Sequence, residues 1–269
     1  MKKLIKKLFE KFKFLKPILF YYRKLRLLVF SYLKLPKEVK VLDKNNKVIA
    51  VFNTRDFATA NVCQYYLKQD ILDYEPEQKF AFLEMAKNSK IVFDIGTQIG
   101  FYAILAAKLG AEKVVAIDID KEFLKIAQKQ AKLNNVEDKI EFLRYAIGVD
   151  GNLIEVENYN GISKVDSISL DTLCKIKNIY PDLIKIDIEG WELEAFENAK
   201  DLLKKKPKIL LALHPDFIRQ RNKDPKNVLK ILFENNYKIK ALTLSSDELV
   251  DRNNMEKFLK FPTIDFACF

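Results

Sequence analysis

The segment KIVFDIGTQIGFYAILAAKLGAEKVVAIDID, Lys90 to Asp120, constrains this chain more than any other. An apolar run ends on Asp94, two glycines follow four residues apart, a helical stretch leads away, and a second apolar run ends on another acid. Short buried runs alternating with helical stretches require a parallel sheet with helices on its faces. The same alternation continues downstream. Strands are predicted at 91–95, 113–117, 139–144, 183–187 and 208–213, and helices at 100–109, 121–133, 192–203 and 225–235. Before them, residues 39–51 read as a hairpin about Asn45-Asn46, residues 57–66 as a short helix and residues 75–88 as a helix. A turn at Gly148–Gly151 marks an inserted β segment, and SLDTL opens a short helix near Leu170. The β-like runs 237–244 and 263–269 suggest that the sheet closes with an antiparallel strand. The expected fold is α/β and Rossmann-like, divided into a leader over 1–38, a small β/α lead-in over 39–74 and a main domain over 75–269.

Charge separates the leader from the rest. Eleven lysines and two arginines against Glu10 and Glu38 give residues 1–40 a net charge of +11, so a whole-chain charge of +10 leaves −1 for the remainder. Such a core has no electrostatic footprint for nucleic acid. In the leader, Leu4, Ile5, Leu8, Phe9, Phe12, Leu15, Ile18 and Leu19 recur at helical spacing between lysines, and Pro17 begins or kinks a helical segment. Its longest uncharged runs, Pro17–Tyr22 and Leu27–Leu33, are far shorter than the about 20 residues a membrane span needs, and no signal-cleavage pattern follows. The composition is that of a helix lying on an anionic membrane surface through residues 1–35. The alternative is a helix packed on the core or on a partner. The expected location is cytoplasmic and peripheral on the inner membrane face. Cys63, Cys174 and Cys268 are too few and too scattered for a disulfide framework, and one histidine, His214, with no cysteine cluster argues against zinc.

Ligands of open α/β sheets bind beyond the C-terminal ends of the strands. Asp94, Gly96, Thr97 and Gly100 stand at the first such end and Asp118 at the second. A diphosphate favours glycine where Gln98 stands and disfavours a carboxylate at Asp94, which weakens an NAD-dependent oxidoreductase reading. S-adenosylmethionine suits the pattern. Its ammonium and sulfonium attract Asp94, its carboxylate can meet backbone N–H groups of the bend, and its ribose hydroxyls can pair with Asp118. Gly96 and Gly100 are expected to let the bend pass close to the ligand.

FDIGTQIGFYAILAA resembles the D-x-G-A-N-x-G motif of FkbM-type methyltransferases. SISLDTL, DLIKIDIEGWELE and ILLALHP resemble that family's later L-D, K-I-D-x-E-G-x-E and E-x-H elements, in order, over about Glu75 to Leu242. Thr97-Gln98 replaces Ala-Asn, and Ala212 or Leu213 stands where an acid often precedes the histidine. The resemblance implies a class I methyltransferase fold, S-adenosylmethionine as donor, and O-methylation of a sugar, glycan or secondary-metabolite hydroxyl.

Methyl transfer is an in-line displacement on an activated carbon, so alignment dominates and a base removes a hydroxyl proton. Asp187 and Glu189 end the fourth predicted strand, beside the expected methyl group. Three readings stand. His214 is the general base, oriented by Asp187 or Glu189; the carboxylates hold a divalent cation, which is less favoured; or the acids of the first helical turn after Trp191 are structural. Lys185 is expected to pair with an acid, Trp191 to wall the acceptor or anchor the core, and Tyr102 to pack or touch the cofactor. A non-catalytic, membrane-tethered cofactor-binding protein is the remaining alternative.

Overall fold

A computed structural model of the chain describes residues 16–158, 161–242 and 248–269. The first fifteen residues of the predicted leader lie outside these, as do residues 243–244 of the predicted run 237–244. The lead-in forms a four-stranded sheet of β1 (Glu38–Leu42), β2 (Val48–Asn53), β3 (Leu67–Lys68) and β4 (Ile71–Leu72), ordered β2-β1-β4-β3. The main sheet begins with β5 (Ile91–Ile95), β6 (Lys113–Ile117) and β7 (Ile140–Leu143). A three-stranded insert of β8 (Ala146–Ile147), β9 (Leu153–Asn158) and β10 (Gly161–Ile168) follows. The main sheet resumes with β11 (Leu183–Ile186), β12 (Lys208–Leu213), β13 (Ile239–Leu242), β14 (Glu248–Val250) and β15 (Ile264–Cys268). Its order is β14-β13-β15-β12-β11-β5-β6-β7. The strands from β12 to β7 pair in parallel. The closing strand β15 does not add at the edge. It slips antiparallel between β12 and β13.

The predicted helix over 192–203 divides into Glu192–Glu197 and Lys200–Lys204, with non-helical backbone at Asn198 and Ala199. Asp171 accounts for the second start: its carboxylate accepts the N–H groups of Asp201 and Leu202 at 2.9 and 2.8 Å, which replaces the bonds an unbroken helix would supply.

The lead-in is continuous with the main core. Val39, Val41, Phe52 and Leu72 share one hydrophobic cluster with Phe101, Ile104 and Leu210, on one face of the main sheet. Asn134, at the C-terminal cap of the helix Lys121–Leu133, reaches the free edge of β2. Its amide accepts from Val51 N at 2.9 Å and donates to Val51 O at 2.7 Å. One helical turn earlier, Gln130 does the same to Asn53 at 2.8 and 2.7 Å. Two side chains at i and i+4 thereby stand in for a neighbouring strand, whose bonds also recur at alternate residues.

The described half of the leader is the helix Lys16–Lys34. Leu27, Ser31 and Leu35 are buried, Lys24 pairs with Glu122 at 2.7 Å, and Arg55 donates to the carbonyls of Ser31 and Leu35. A boundary at residue 38 would therefore cut through the core. The opposite stripe is exposed and apolar: Tyr22, Leu25, Val29, Tyr32 and Leu33. Among the described residues, no helix is long and apolar enough to cross a membrane. The three cysteines are free and buried.

Candidate functional site

Asp94 is fully buried near the end of β5. Its Oδ2 accepts from Thr97 Oγ1 at 2.6 Å and from Ala103 N at 3.0 Å, while Oδ1 has no hydrogen-bond partner among the described residues. Burial raises its pKa, opposed by the positive charge of Lys185. The Thr97 hydroxyl therefore spends its donor on Asp94, and its acceptor capacity is what it keeps for a ligand. The two glycines are required by the protein rather than by a ligand. At Gly96, φ is +80° and a Cβ would lie 1.8 Å from the carbonyl oxygen of Asp187; at Gly100, φ is +79° and a Cβ would lie 2.9 Å from the side-chain Cβ of Ala127.

The bend's N–H groups are committed too. Gly96 N and Thr97 N donate to Ile117 O at 2.8 and 3.0 Å, and Gly100 N to Thr97 O at 2.7 Å. Gln98, in left-handed backbone with φ +48°, donates its N–H to Asp118 Oδ2 at 2.9 Å. The expected role of these groups in holding a ligand carboxylate is thus corrected: four of them are satisfied internally. Asp118 also accepts Asp120 N at 2.8 Å through Oδ1. Burial pushes its carboxyl up to about 6. Each oxygen accepts one backbone bond, so acceptor capacity remains for ribose hydroxyls.

Strand register brings the charges together. Asp94 pairs with Lys185 across β5 and β11, Asp187 lies two residues beyond Lys185, and Asp265 pairs with Ala212 across β15 and β12. Because side chains alternate faces along strands, Asp94, Lys185, Asp187 and Asp265 all point to the face covered by the lead-in. Lys185 is 3% exposed. Its Nζ lies 3.2 Å from Asp187 Oδ2 and 5.0 Å above the Tyr102 ring centroid. Burial works against the ammonium, but Asp187, Asp94 and Glu75 hold its pKa above the ordinary lysine value. Tyr102 is buried and donates to Glu75 Oε2 at 3.1 Å.

His214 follows β12. Its Nδ1 lies 2.9 Å from Glu192 Oε1, and its Nε2 lies 3.7 Å from Asp187 Oδ1. Glu192 is fully buried, and the same Oε1 accepts Gly190 N at 3.1 Å. Nδ1 is therefore the donor and Nε2 carries the lone pair. Glu189, expected as an orienting acid, is exposed in left-handed backbone with φ +50°; Glu192 takes that place. Burial depresses the imidazole pKa, but the Glu192 hydrogen bond and Asp187 more than offset this, so it is raised. Phe217 stacks on the ring, with centroids 5.8 Å apart and planes 14° apart. Trp191 carries the Arg221 guanidinium 3.4 Å from its ring centroid, and Arg221 pairs with Glu194. Among the described residues, no group of three or more His, Cys, Asp or Glu is arranged to hold a metal ion.

Residues 94–239 match the methyltransferase FkbM domain, just over half of the chain. The chain belongs to the FkbM methyltransferase family. The FkbM sheet is thus the α/β, mostly parallel sheet expected from the sequence. The chain is also similar to ribosomal protein L11 methyltransferases. It is 44% identical over 64 residues to that of Dictyoglomus thermophilum (24% of this chain, 21% of that one). It is 39% identical over 93 residues to that of Alkaliphilus metalliredigens (35% and 24%). The matched stretch spans less than a quarter of the length of these relatives. Among solved structures, an O-methyltransferase from Bacillus cereus in complex with SAH is similar at a TM-score of 0.45 and 18% identity, over 77% of this chain and 85% of that one. Methyltransferase FkbM from Methylobacillus flagellatus is similar at a TM-score of 0.45 and 21% identity, over 67% and 44%.

The FkbM bend suits S-adenosylmethionine better than a dinucleotide. A diphosphate site needs unspent N–H donors, and here four are spent. Asp94 Oδ1 is a buried acceptor without a donor, which a cationic group would satisfy. Glu75, Gln78 and Asp265 stand near these groups and escaped the sequence reading. Glu192, read there among the acids of the first helical turn after Trp191, is the one that meets the His214 ring.

Proposed function

We propose that this FkbM family member transfers a methyl group from S-adenosylmethionine to a hydroxyl of a sugar, glycan or secondary metabolite at an anionic membrane surface. The observation that carries the reading is the His214 ring, fixed at Nδ1 by a fully buried Glu192 and presenting Nε2 beside Asp187. A fixed tautomer with a lone pair at the sheet's C-terminal edge is what deprotonating a hydroxyl requires. Bound there, the donor supplies an electrophilic carbon activated by its sulfonium. Asp94 faces the cationic end, Asp118 binds ribose hydroxyls, and Asp187 shares the space between donor and base. His214 Nε2 takes the hydroxyl proton, and Glu192 holds the imidazolium that results. Cover from the lead-in keeps water from competing with the acceptor.

What supports the membrane part is the exposed stripe Tyr22, Leu25, Val29, Tyr32 and Leu33, flanked by exposed Arg23, Arg26 and Lys34. Apolar residues outward with cations beside them suit a headgroup boundary.

Calorimetry against S-adenosylmethionine and NAD tests the donor. The expected result is binding of the first, no binding of the second, and loss of the first in Asp94→Ala. NAD binding, or unchanged affinity in that variant, would refute the assignment. Incubation with labelled methyl donor and fractionated cell material then identifies the fraction that gains label.

A further inference from the structure

Asp265 stands opposite Ala212 of β12, two residues short of His214 and therefore roughly 6.6 Å from it along the strand direction. Its Oδ1 accepts the Gln78 amide at 2.7 Å. Gln78 is 2% exposed, yet its Oε1 has no hydrogen-bond partner among the described residues. A buried carbonyl oxygen left bare is costly, and such atoms in native proteins call for a missing donor. Glu75, at the start of the helix Pro76–Ala86 in left-handed backbone with φ +42°, bears on Asp265 with its charge. The Tyr66 hydroxyl feels the charges of Glu75 and Asp265, and its ring meets that of Tyr74 edge-on at 5.0 Å. Asp187 links this cluster to the imidazole: it lies 3.7 Å from His214 Nε2, and its charge bears on both Glu75 and Asp265. Glu75, Asp187 and Asp265 all keep partial access to solvent.

We propose that Asp265 and Gln78 form a subsite for a second hydroxyl of the methyl acceptor, so that the acceptor is a polyhydroxylated ring and not a mono-alcohol. The subsite rests on the methyltransferase reading, in that the hydroxyl at His214 is the one methylated. A hydroxyl donates one hydrogen bond and accepts others. Gln78 Oε1 and the second oxygen of Asp265 offer acceptors, and the spacing from His214 suits hydroxyls on different carbons of one ring. Burial, with Glu75 next, raises Asp265 to about 7, so near neutral pH its carboxyl donates as well as accepts. An ammonium is the poorer occupant, because Lys185 already places one among Glu75, Asp94 and Asp187. Tyr66 and Tyr74 offer ring edges and faces to the apolar side of such an acceptor.

The test uses full-length protein saturated with S-adenosylhomocysteine. Saturation-transfer NMR titrations follow the methyl glycosides of glucose, galactose and mannose, with cyclohexanol as the mono-hydroxyl control. At least one glycoside should bind and cyclohexanol should not. Asp265→Asn and Gln78→Met should each weaken glycoside binding by about tenfold, the equivalent of one lost hydrogen bond, while S-adenosylhomocysteine affinity stays at the wild-type value. Glycoside affinity unchanged in both variants, cyclohexanol binding as well as the sugars, or no glycoside binding at all would each overturn the subsite. Failure of S-adenosylhomocysteine to bind would instead refute the donor assignment, and the glycoside titrations are then read without it.

Discussion

On the proposed mechanism His214 serves as a base, which requires an unprotonated Nε2, and its neighbours oppose that form. Since its pKa is raised above the usual 6.5, methyl transfer should climb with pH through a midpoint above that value and level off beyond it. In Glu192→Gln the hydrogen bond to a carboxylate is lost while the depressing effect of burial stays, so the acidic limb should move to lower pH. The rate should fall by roughly 10²-fold, because the tautomer is no longer held. A pH–rate profile with an unmoved limb would exclude Glu192 as the orienting group. Asp265 gives a second prediction at this scale. Its folded pKa of about 7 stands above the ordinary aspartate value of 3.8. The folded state therefore retains a proton between those values that the unfolded state has lost, and stability falls as pH rises from about 4 to about 7. Asp265→Asn removes that penalty while an amide oxygen can still accept from Gln78. The variant should melt higher than wild type at pH 8 and show a shallower slope over that window, read by thermal unfolding across pH. A more stable variant that binds acceptor worse is the expected exchange at a functional site.

At the scale of elements, the first bend is built by the sheet rather than by its ligand. The end of β11 crowds Gly96 so closely that any Cβ overlaps the Asp187 carbonyl. Gly96→Ala should lose at least the roughly 1–3 kcal/mol of a strained backbone residue, seen as a lower urea midpoint with no ligand present. A midpoint equal to wild type would show that the strand end can move away. The register of β15 matters in the same way. By entering between β12 and β13 it delivers Asp265 to the edge where His214 stands, some fifty residues later in the chain.

For the whole molecule, the helix Lys16–Lys34 has two apolar sides. One covers the core through Leu27, Ser31 and Leu35; the other is exposed. Replacing Leu25, Val29 and Leu33 together by glutamine changes only exposed side chains, so stability should stay within about 0.5 kcal/mol per site. Sedimentation with anionic vesicles should drop sharply, and wild-type binding should weaken with salt. Wild-type protein that never sediments with such vesicles would end the membrane reading.

Local patterning determined much of this protein. The alternation of short apolar runs with helical stretches specified a parallel sheet, and the acids at strand ends placed Asp94, Asp118 and Asp187 at its C-terminal edge, since strand direction alone decides which end a residue following the strand occupies. His214 and the KIDIEGWELE run were legible for the same reason. Tertiary structure decided which acid meets which base. Glu189 and Glu192 are three residues apart, and only the left-handed backbone at Glu189 and Gly190 turns one outward and the other inward onto the imidazole. It also decided that Gly96 and Gly100 serve packing, because the atoms that crowd them come from residues far along the chain. The Asp265–Gln78 pair lies 187 residues apart in sequence. No local period carries such a contact, because it exists only once β15 has paired with β12 and the lead-in has closed over that face.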